Sequence, residues 1–372
     1  MKKLLWVLVV LVIVAFGGRA WWLYKQAEQN KDVVKIGAIL PMSGILAVNG
    51  ESAKNAMLMA EERFNKENHP VKVQLVIEDG KFTAKDSISA FRKLQSSGID
   101  IILPYGDVTA KAILPLLKEK NQPLFAFGGL EELATNYENT ISLLPNPRYL
   151  IGRSPAFIIS YLKKSDIAII YQHEPAVEST TKEIIESINT LGGNVVAQEQ
   201  FTINATDTHS IVAKVLSKNP EAVIVFGWGP AYTAILNDLR QHLFAGPIIT
   251  DNNISSSKDA FANHGDGIYV FDILFDYDLD IPLIQNFLRD YKQRYNAVPD
   301  IFAVYAYETF LLLAEAIDSQ DYNLLKMKDT ILQTHKQETL VGPISFYPNR
   351  LIAIHLVIKQ MQADGSAKIV KE

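Results

Sequence analysis

The chain has 372 residues, a formal net charge of −5 at pH 7 and no cysteine. Its 48% hydrophobic and 21% charged residues are the balance of a globular protein long enough for more than one domain. The lack of cysteine excludes disulfides, cysteine-ligated zinc and thiol catalysis. Since no basic patch or nucleic-acid-binding signature is present, we expect no nucleic acid among its partners.

The N-terminus predicts either a signal peptide or a membrane anchor. Two lysines precede the apolar run Leu4–Phe16, as in a signal peptide, and cleavage near Ala20 would follow a small-x-small sequence. Alternatively, Leu4–Tyr24 provides 21 residues with a single charge, and about 20 residues cross a bilayer. We favour the retained anchor because Trp21 and Trp22 would lie at the far interface. Both alternatives place the rest of the chain on the periplasmic side of the inner membrane.

After residue 31, apolar runs alternate with helical patterns. The strands are predicted at Val33–Leu40, Val71–Ile77, Ile99–Leu103, Pro123–Phe127, Ile167–Tyr171, Val195–Phe201, Ala222–Phe226 and Pro247–Thr250. Between them, apolar residues recur every three or four positions, which is typical of a helix with one buried face. Strands that are apolar on both faces and alternate with helices indicate an α/β fold of doubly wound parallel sheets.

The second half of the chain contains three further predicted features. The run Ile301–Ile317 is apolar nearly all round, which predicts a buried helix. The acidic, aromatic segment Phe271–Asp280 predicts a crossover with a solvated acidic face. Near the C-terminus, Ile344–Phe346 and Leu351–Ile358 flank a turn and predict two strands.

Two segments resemble each other at an offset of about 122 residues: DIILPYGDVTAKAILPLLK and AVIVFGWGPAYTAILNDLR. Each reads as a strand, a glycine-containing turn and a helix. The resemblance gives Tyr105–Asp107 and Gly227–Gly229 equivalent places at the carboxyl ends of strands, where α/β proteins bind ligands. Two such ends facing each other would form a cleft.

Asp107 has two interpretations, which are compatible with each other. Helix N-termini attract anions, yet a carboxylate lies at this one. Asp107 is either the N-cap of a helix that starts at Val108, or a ligand contact that recognises a cationic or donor-rich group. In both cases it would repel a ligand carboxylate.

The remaining candidates are weaker. Trp228, between two glycines, is either core packing or a surface for ligand stacking. His173 and Glu174 lie on a predicted strand-end loop and are either solvated or directed at the cleft. The seven histidines show no paired spacing and no Walker lysine follows a glycine loop, so we expect no metal and no cofactor. No nucleophile–base pair indicates an enzyme.

The chain from about residue 33 to about residue 348 resembles the type I periplasmic binding proteins of the branched-chain amino-acid (Leu/Ile/Val) group, the substrate-binding proteins of ABC transporters. The most specific stretches are GGNVVAQEQFTINATDTHSIVAKVLSKNPEAVIVFGWG and FLRDYKQRYNAVPDIFAVYAYETFLLLAEAI. The resemblance implies two α/β lobes joined by three crossovers, with ligand bound between them and a hinge that closes. After residues 1–31, the predicted lobes are 33–145 plus 275–338, and 146–274 plus 339–372.

The resemblance also implies which positions contact ligand: Ser43, Asn49, Tyr105, Gly106, Asp107, Gly128, Gly129, Trp228, Asp251 and Asn252. Several depart from the family pattern. Gly106-Asp107 replaces a serine and Gly128-Gly129-Leu130 lacks a threonine, while Asn252 stands where an acidic residue pairs with the ligand ammonium. The three glycines are expected to leave backbone amides open to ligand. The scaffold is therefore kept without the groups that recognise an amino acid.

Two functions follow from these observations. The first is an extracytoplasmic solute-binding protein that captures an amino-acid-like, amide or cationic solute for an ABC permease. The alternative is a membrane-anchored sensor or regulator with a diverged or lost ligand site and an envelope protein as its partner.

Overall fold

The computed structural model describes residues 33–129, 131–254, 266–275, 279–317, 323–362 and 366–371. The predicted anchor Leu4–Tyr24 and the cleavage site near Ala20 lie outside the described residues, as does Leu130. Within the described ranges, no helix has both the length and the apolar character needed to span a bilayer.

Helices and strands alternate through most of the described chain. In order, the elements are β1 (Val33–Leu40), α1 (Ala47–Lys66), β2 (Lys72–Asp79), α2 (Ala84–Ser96), β3 (Ile101–Pro104), α3 (Gly106–Glu119), β4 (Leu124–Ala126), α4 (Glu131–Asn136), β5 (Thr140–Ser142), α5 (Pro147–Leu150), a 3₁₀ turn (Ile151–Arg153), α6 (Ser154–Ala156), a π turn (Phe157–Tyr161), β6 (Asp166–Gln172), α7 (Pro175–Thr190), β7 (Asn194–Phe201), α8 (Thr208–Leu216), β8 (Ala222–Phe226), α9 (Pro230–Gln241), β9 (Ile248–Asp251), β10 (Ile268–Ile273), α10 (Pro282–Tyr295), α11 (Ile301–Glu315), α12 (Leu324–Leu332), β11 (Ile344–Phe346), β12 (Ile352–Ile354), β13 (Leu356–Met361) and β14 (Ala367–Lys371).

The first sheet is built from parallel strands. β1 lies between β2 and β3, with Val33 opposite Lys72. The parallel pair β4–β5 continues this sheet through a bridge between Tyr105 and Phe127. Helices α1 and α11 pack on one face, and α2 and α3 pack on the other. Because both faces are covered, β3 and β4 are buried along their whole length and apolar without alternation, as their sequences predicted.

The second sheet has the strand order β14-β13-β10-β9-β8-β6-β7. Strands β6 to β10 pair in parallel, and β13 and β14 add an antiparallel edge. Helices α8 and α9 cover one face, while α7 and the turns before β6 cover the other. We call the parts built on the first and second sheets the first and second lobe.

The chain passes between the lobes three times within the described residues: between β5 and β6, between β10 and α10, and between β12 and β13. Two α/β lobes of parallel strands, joined in this way, confirm the predicted fold class. The two segments that resemble each other form β3–α3 in the first lobe and β8–α9 in the second. The residue boundaries of the lobes stay a prediction.

The strands in the second half of the chain differ in part from the prediction. The predicted strand Leu351–Ile358 is interrupted at His355, which separates β12 from β13. The prediction of a solvated acidic face for Phe271–Asp280 is wrong for the first acidic residue of that segment, Asp272. Asp272 belongs to β10, is 8% exposed and pairs with buried Lys359 at 2.8 Å. A buried carboxylate is retained there because an opposite charge faces it across the antiparallel pair.

Candidate functional site

A cleft of about 370 Å³ lies between the two lobes, at the carboxyl ends of parallel strands from both sheets. Nine of the ten residues predicted to contact ligand line it: Asn49, Tyr105, Gly106, Asp107, Gly128, Gly129, Trp228, Asp251 and Asn252. Ser43 is not among the lining residues, and its hydroxyl donates a hydrogen bond to Asp79 Oδ2 at 2.6 Å. The rule that α/β proteins bind ligands at the carboxyl ends of their strands (the strand-end rule) therefore located this cleft from sequence. Ligand contact by these residues stays a prediction.

Aromatic rings form the wall of the first lobe. The centroid of the Tyr105 ring lies 6.5 Å from that of Phe82 and 6.0 Å from that of Phe302. At Gly106, φ is +75° and a Cβ would come within 2.6 Å of the Phe82 ring, so glycine is required there. Sequence reasoning missed Phe82 and Phe302. Phe82 follows a strand and could have been found by the strand-end rule, whereas the uniformly apolar helix α11 does not reveal which side faces the cleft.

Asp107 is not the N-cap that the sequence predicted. Helix α3 begins at Gly106 with Tyr105 as its N-cap residue, which places Asp107 in the first helical turn. The negative side chain still interacts favourably with the helix dipole. Asp107 Oδ1 packs so closely over Gly128 that a Cβ on that residue would collide with it. The Gly106 amide is not open to ligand as expected, because it donates to the carbonyl of Phe127 at 2.7 Å.

Trp228 forms the opposing wall in the second lobe. Its backbone N–H donates to Gln172 Oε1 at 2.8 Å, and Gly229 beside it has a φ of +85°. The indole is half-buried against the core of the second lobe and also lines the cleft. The ring therefore packs on the core, as one interpretation predicted, and also lines the cleft, while ligand stacking stays a prediction.

Polar side chains at the end of strand β9 and just after it, Asp251 to Asn253, line the cleft and are called its floor below. Asp251 is 3% exposed and accepts hydrogen bonds from the backbone N–H and the side-chain amide of Asn253, at 3.3 and 2.9 Å. Burial raises the pKa of Asp251 to about 8, and the negative charge of Asp272 adds to this rise. The group is therefore mostly protonated at neutral pH. Asn252 Nδ2 donates to the hydroxyl of Tyr305 at 2.8 Å, a bond that joins the second lobe to helix α11 of the first.

The loop after β6 brings one of its two candidate residues into the cleft. Glu174 lines the cleft and is the N-cap of α7, where its Oε2 accepts hydrogen bonds from the backbone N–H groups of Ala176 at 2.8 Å and Val177 at 3.2 Å. Burial raises the pKa of the Glu174 carboxyl. His173 is exposed, lies outside the cleft and pairs with Glu178 at 2.5 Å.

A second set of contacts joins the lobes beside the cleft. Arg148, in the segment that connects the two sheets, pairs with Glu183 of α7 at 2.8 Å and with Glu131 of α4 at 3.6 Å. These side chains line a smaller cavity of about 230 Å³, which shares Gly129 and Pro147 with the cleft. These ion pairs and the bond between Asn252 and Tyr305 are contacts that link the two lobes.

The charge of the cleft is one-sided. Among the described residues that line it, Asp107, Glu174 and Asp251 are acidic, and none is lysine, arginine or histidine. The described part of the chain brings together no group of three or more His, Asp or Glu side chains that could hold a metal ion. The arrangement can hold an apolar body between Tyr105 and Trp228 and accept hydrogen bonds from donor groups, but it offers no cation to a carboxylate.

Comparison with other proteins agrees with this geometry. A family model described as periplasmic binding protein matches residues 33–363. A leucine-, isoleucine-, valine-, threonine- and alanine-binding protein from Pseudomonas aeruginosa is 20% identical over 331 residues, which cover 85% of this chain and 86% of that protein.

Two solved structures have the same fold. A solute-binding protein of an ABC transporter from Rhodopseudomonas palustris, in complex with 3,4-dihydroxybenzoic acid, has a TM-score of 0.83 at 15% identity and covers 92% of this chain and 97% of its own. The branched-chain amino-acid transporter substrate-binding protein LivJ from Streptococcus pneumoniae, in complex with isoleucine, has a TM-score of 0.78 at 21% identity, with 92% and 100% covered. As the sequence resemblance predicted, this chain belongs to the periplasmic binding protein family and has its type I fold.

Proposed function

We propose that this protein is an extracytoplasmic solute-binding protein that captures a small apolar molecule, neutral or cationic, and presents it to an ABC permease. The family, whose members are binding proteins rather than enzymes, supports the binding role, and we propose no catalytic activity. The solved relatives were crystallised with 3,4-dihydroxybenzoic acid and isoleucine, which are both carboxylic acids. We expect this protein to differ from them in its ligand.

The observation that carries the ligand class is the composition of the cleft lining. Aromatic residues of both lobes and three acidic residues line the cleft, and the described lining contains no basic side chain. A ligand carboxylate would enter a low-dielectric site with like charges and without a counter-ion, which is costly. An amide or an amine with an apolar body meets hydrogen-bond acceptors and apolar walls instead.

Thermal unfolding of the purified full chain in mild detergent tests this proposal. The compounds are free amino acids, primary amides, polyamines and aromatic acids, each at several concentrations. A ligand at 100 times its Kd stabilises a protein by about 2.7 kcal/mol, which raises the midpoint by several degrees. We expect amides or amines to raise the midpoint and carboxylic acids to leave it unchanged. Stabilisation by carboxylic acids alone, or by no compound, would contradict the proposal.

A membrane-anchored sensor or regulator is the second candidate. It is favoured by the apolar segment Leu4–Tyr24 and by Gly106-Asp107 and Gly128-Gly129-Leu130, which stand where the resemblance implies a serine and a threonine. If the anchor is retained, the protein will stay with inner membranes after a carbonate wash; a soluble chain that begins near Trp21 would show cleavage instead. Cross-linking in cells separates the two functions, since a permease partner supports transport and an envelope protein partner supports regulation.

A further inference from the structure

The two oxygens of the Glu174 carboxylate have different surroundings. Oε2 accepts the two backbone hydrogen bonds from Ala176 and Val177 that begin helix α7. No hydrogen-bond donor among the described residues contacts the other oxygen, Oε1. The capping bonds fix the orientation of the side chain, which is half-buried and belongs to the lining of the cleft.

The other two acidic residues of the cleft are arranged differently. Asp251 is nearly fully buried, both of its oxygens accept hydrogen bonds from Asn253, and it is mostly neutral at pH 7. Asp107 lies in the opposite lobe, packed over Gly128, where it adds negative potential. Glu174 is therefore the acidic residue of the cleft lining that is oriented by its capping bonds and keeps one carboxylate oxygen without a donor among the described residues.

The charge of Glu174 is not balanced by a neighbouring cation inside the cleft. The basic side chain that acts on it, Lys111 of α3, does not line the cleft and pairs with Glu132 at 3.1 Å. Burial disfavours the ionised carboxylate by more than Lys111 and the capping bonds favour it, and a cation brought by the ligand would offset this cost.

From this geometry we infer that Glu174 is the specificity-determining residue of the cleft: it binds the protonated amine of a ligand whose apolar body lies between Tyr105 and Trp228. This inference rests on the proposed solute-binding function and adds the recognition group and the charge of the ligand. A charge-assisted hydrogen bond to a carboxylate that is already oriented requires little further ordering of the protein.

Three probes with the same ring and similar size separate the contributions of charge and shape: benzylamine, benzyl alcohol and benzoate. Their affinities for the full chain are measured by isothermal titration calorimetry. The variant Glu174→Gln keeps a side-chain oxygen for the capping bonds and removes the charge. Its matched control is Glu186→Gln, on the exposed side of the same helix.

We expect wild type to bind benzylamine more tightly than benzyl alcohol and to bind benzoate least. Glu174→Gln should weaken benzylamine by about tenfold or more and leave benzyl alcohol within about twofold, while Glu186→Gln changes neither. An unchanged benzylamine affinity in Glu174→Gln, or equal losses for the amine and the alcohol, overturns the inference. Preferential binding of benzoate to wild type also overturns it while leaving a solute-binding function intact. If none of the three probes binds wild type, the inference is overturned, and the broader compound set tests the binding function separately.

Discussion

Replacing Asp251 by asparagine tests the electrostatics of the cleft floor. The side chain is 3% exposed, and burial raises its pKa from 3.8 to about 8. Between these two values the folded protein keeps a proton that the unfolded chain releases, so stability falls as the pH rises. One proton changes the free energy of unfolding by at most about 1.4 kcal/mol per pH unit, so Asp251 accounts for at most about 4 kcal/mol between pH 5 and pH 8. Asp251→Asn removes this dependence, because an amide has no proton to lose in this range.

Urea unfolding at pH 5, 6.5 and 8 measures the effect. Replacing Trp6, Trp21 and Trp22 by phenylalanine in the full chain leaves Trp228 as the single indole, in the same lobe as Asp251. We expect Asp251→Asn to be close to wild type at pH 5 and more stable than wild type at pH 8. The control Asp290→Asn, at an exposed position on α10, should differ from wild type by the same amount at each pH. Parallel pH profiles for Asp251→Asn and wild type would refute the argument.

Three further predictions concern the walls of the cleft. In the single-tryptophan variant, a ligand confirmed by calorimetry should shift the emission of Trp228 saturably with one site; an unchanged emission would mean that the indole serves only core packing. Asp107→Asn should change stability by less than about 1 kcal/mol and weaken a cationic ligand by less than Glu174→Gln does, with a loss that shrinks at high salt; unchanged affinity in a calorimetric titration would leave Asp107 without a ligand role. Gly128→Ala should lower the thermal midpoint, at a cost of about 1–3 kcal/mol, because the new Cβ collides with Asp107 Oδ1. The control is Gly152→Ala, where the nearest atom to a new Cβ is 3.7 Å away. Equal midpoints for the two variants would contradict the predicted collision.

Much of the fold could be predicted from sequence because its local patterns record burial directly. A strand covered on both faces is a predominantly apolar run, so the predicted strands Val33–Leu40 and Ala222–Phe226 match β1 and β8 residue for residue. The turns that follow such strands must lie at one edge of a parallel sheet. For this reason Tyr105 and Trp228 could be assigned to a common cleft before the lobes were seen.

The tertiary structure decided what faces what across that cleft. Phe302 and Tyr305 reach it from a helix that is apolar on every side, so no periodicity marks their direction. Asp107 was predicted as the cap of a helix that starts at Val108, but α3 begins two residues earlier, at Gly106, whose φ is positive. The local sequence indicates how deeply a residue is buried within its own helix or strand. Which residues it contacts across the cleft depends on how the two lobes are placed, and segments far apart in the chain determine that placement. The different surroundings of Glu174 and Asp251 follow from that placement. The carboxyl group of Glu174 caps a helix and lines the cleft, whereas that of Asp251 is buried and mostly protonated.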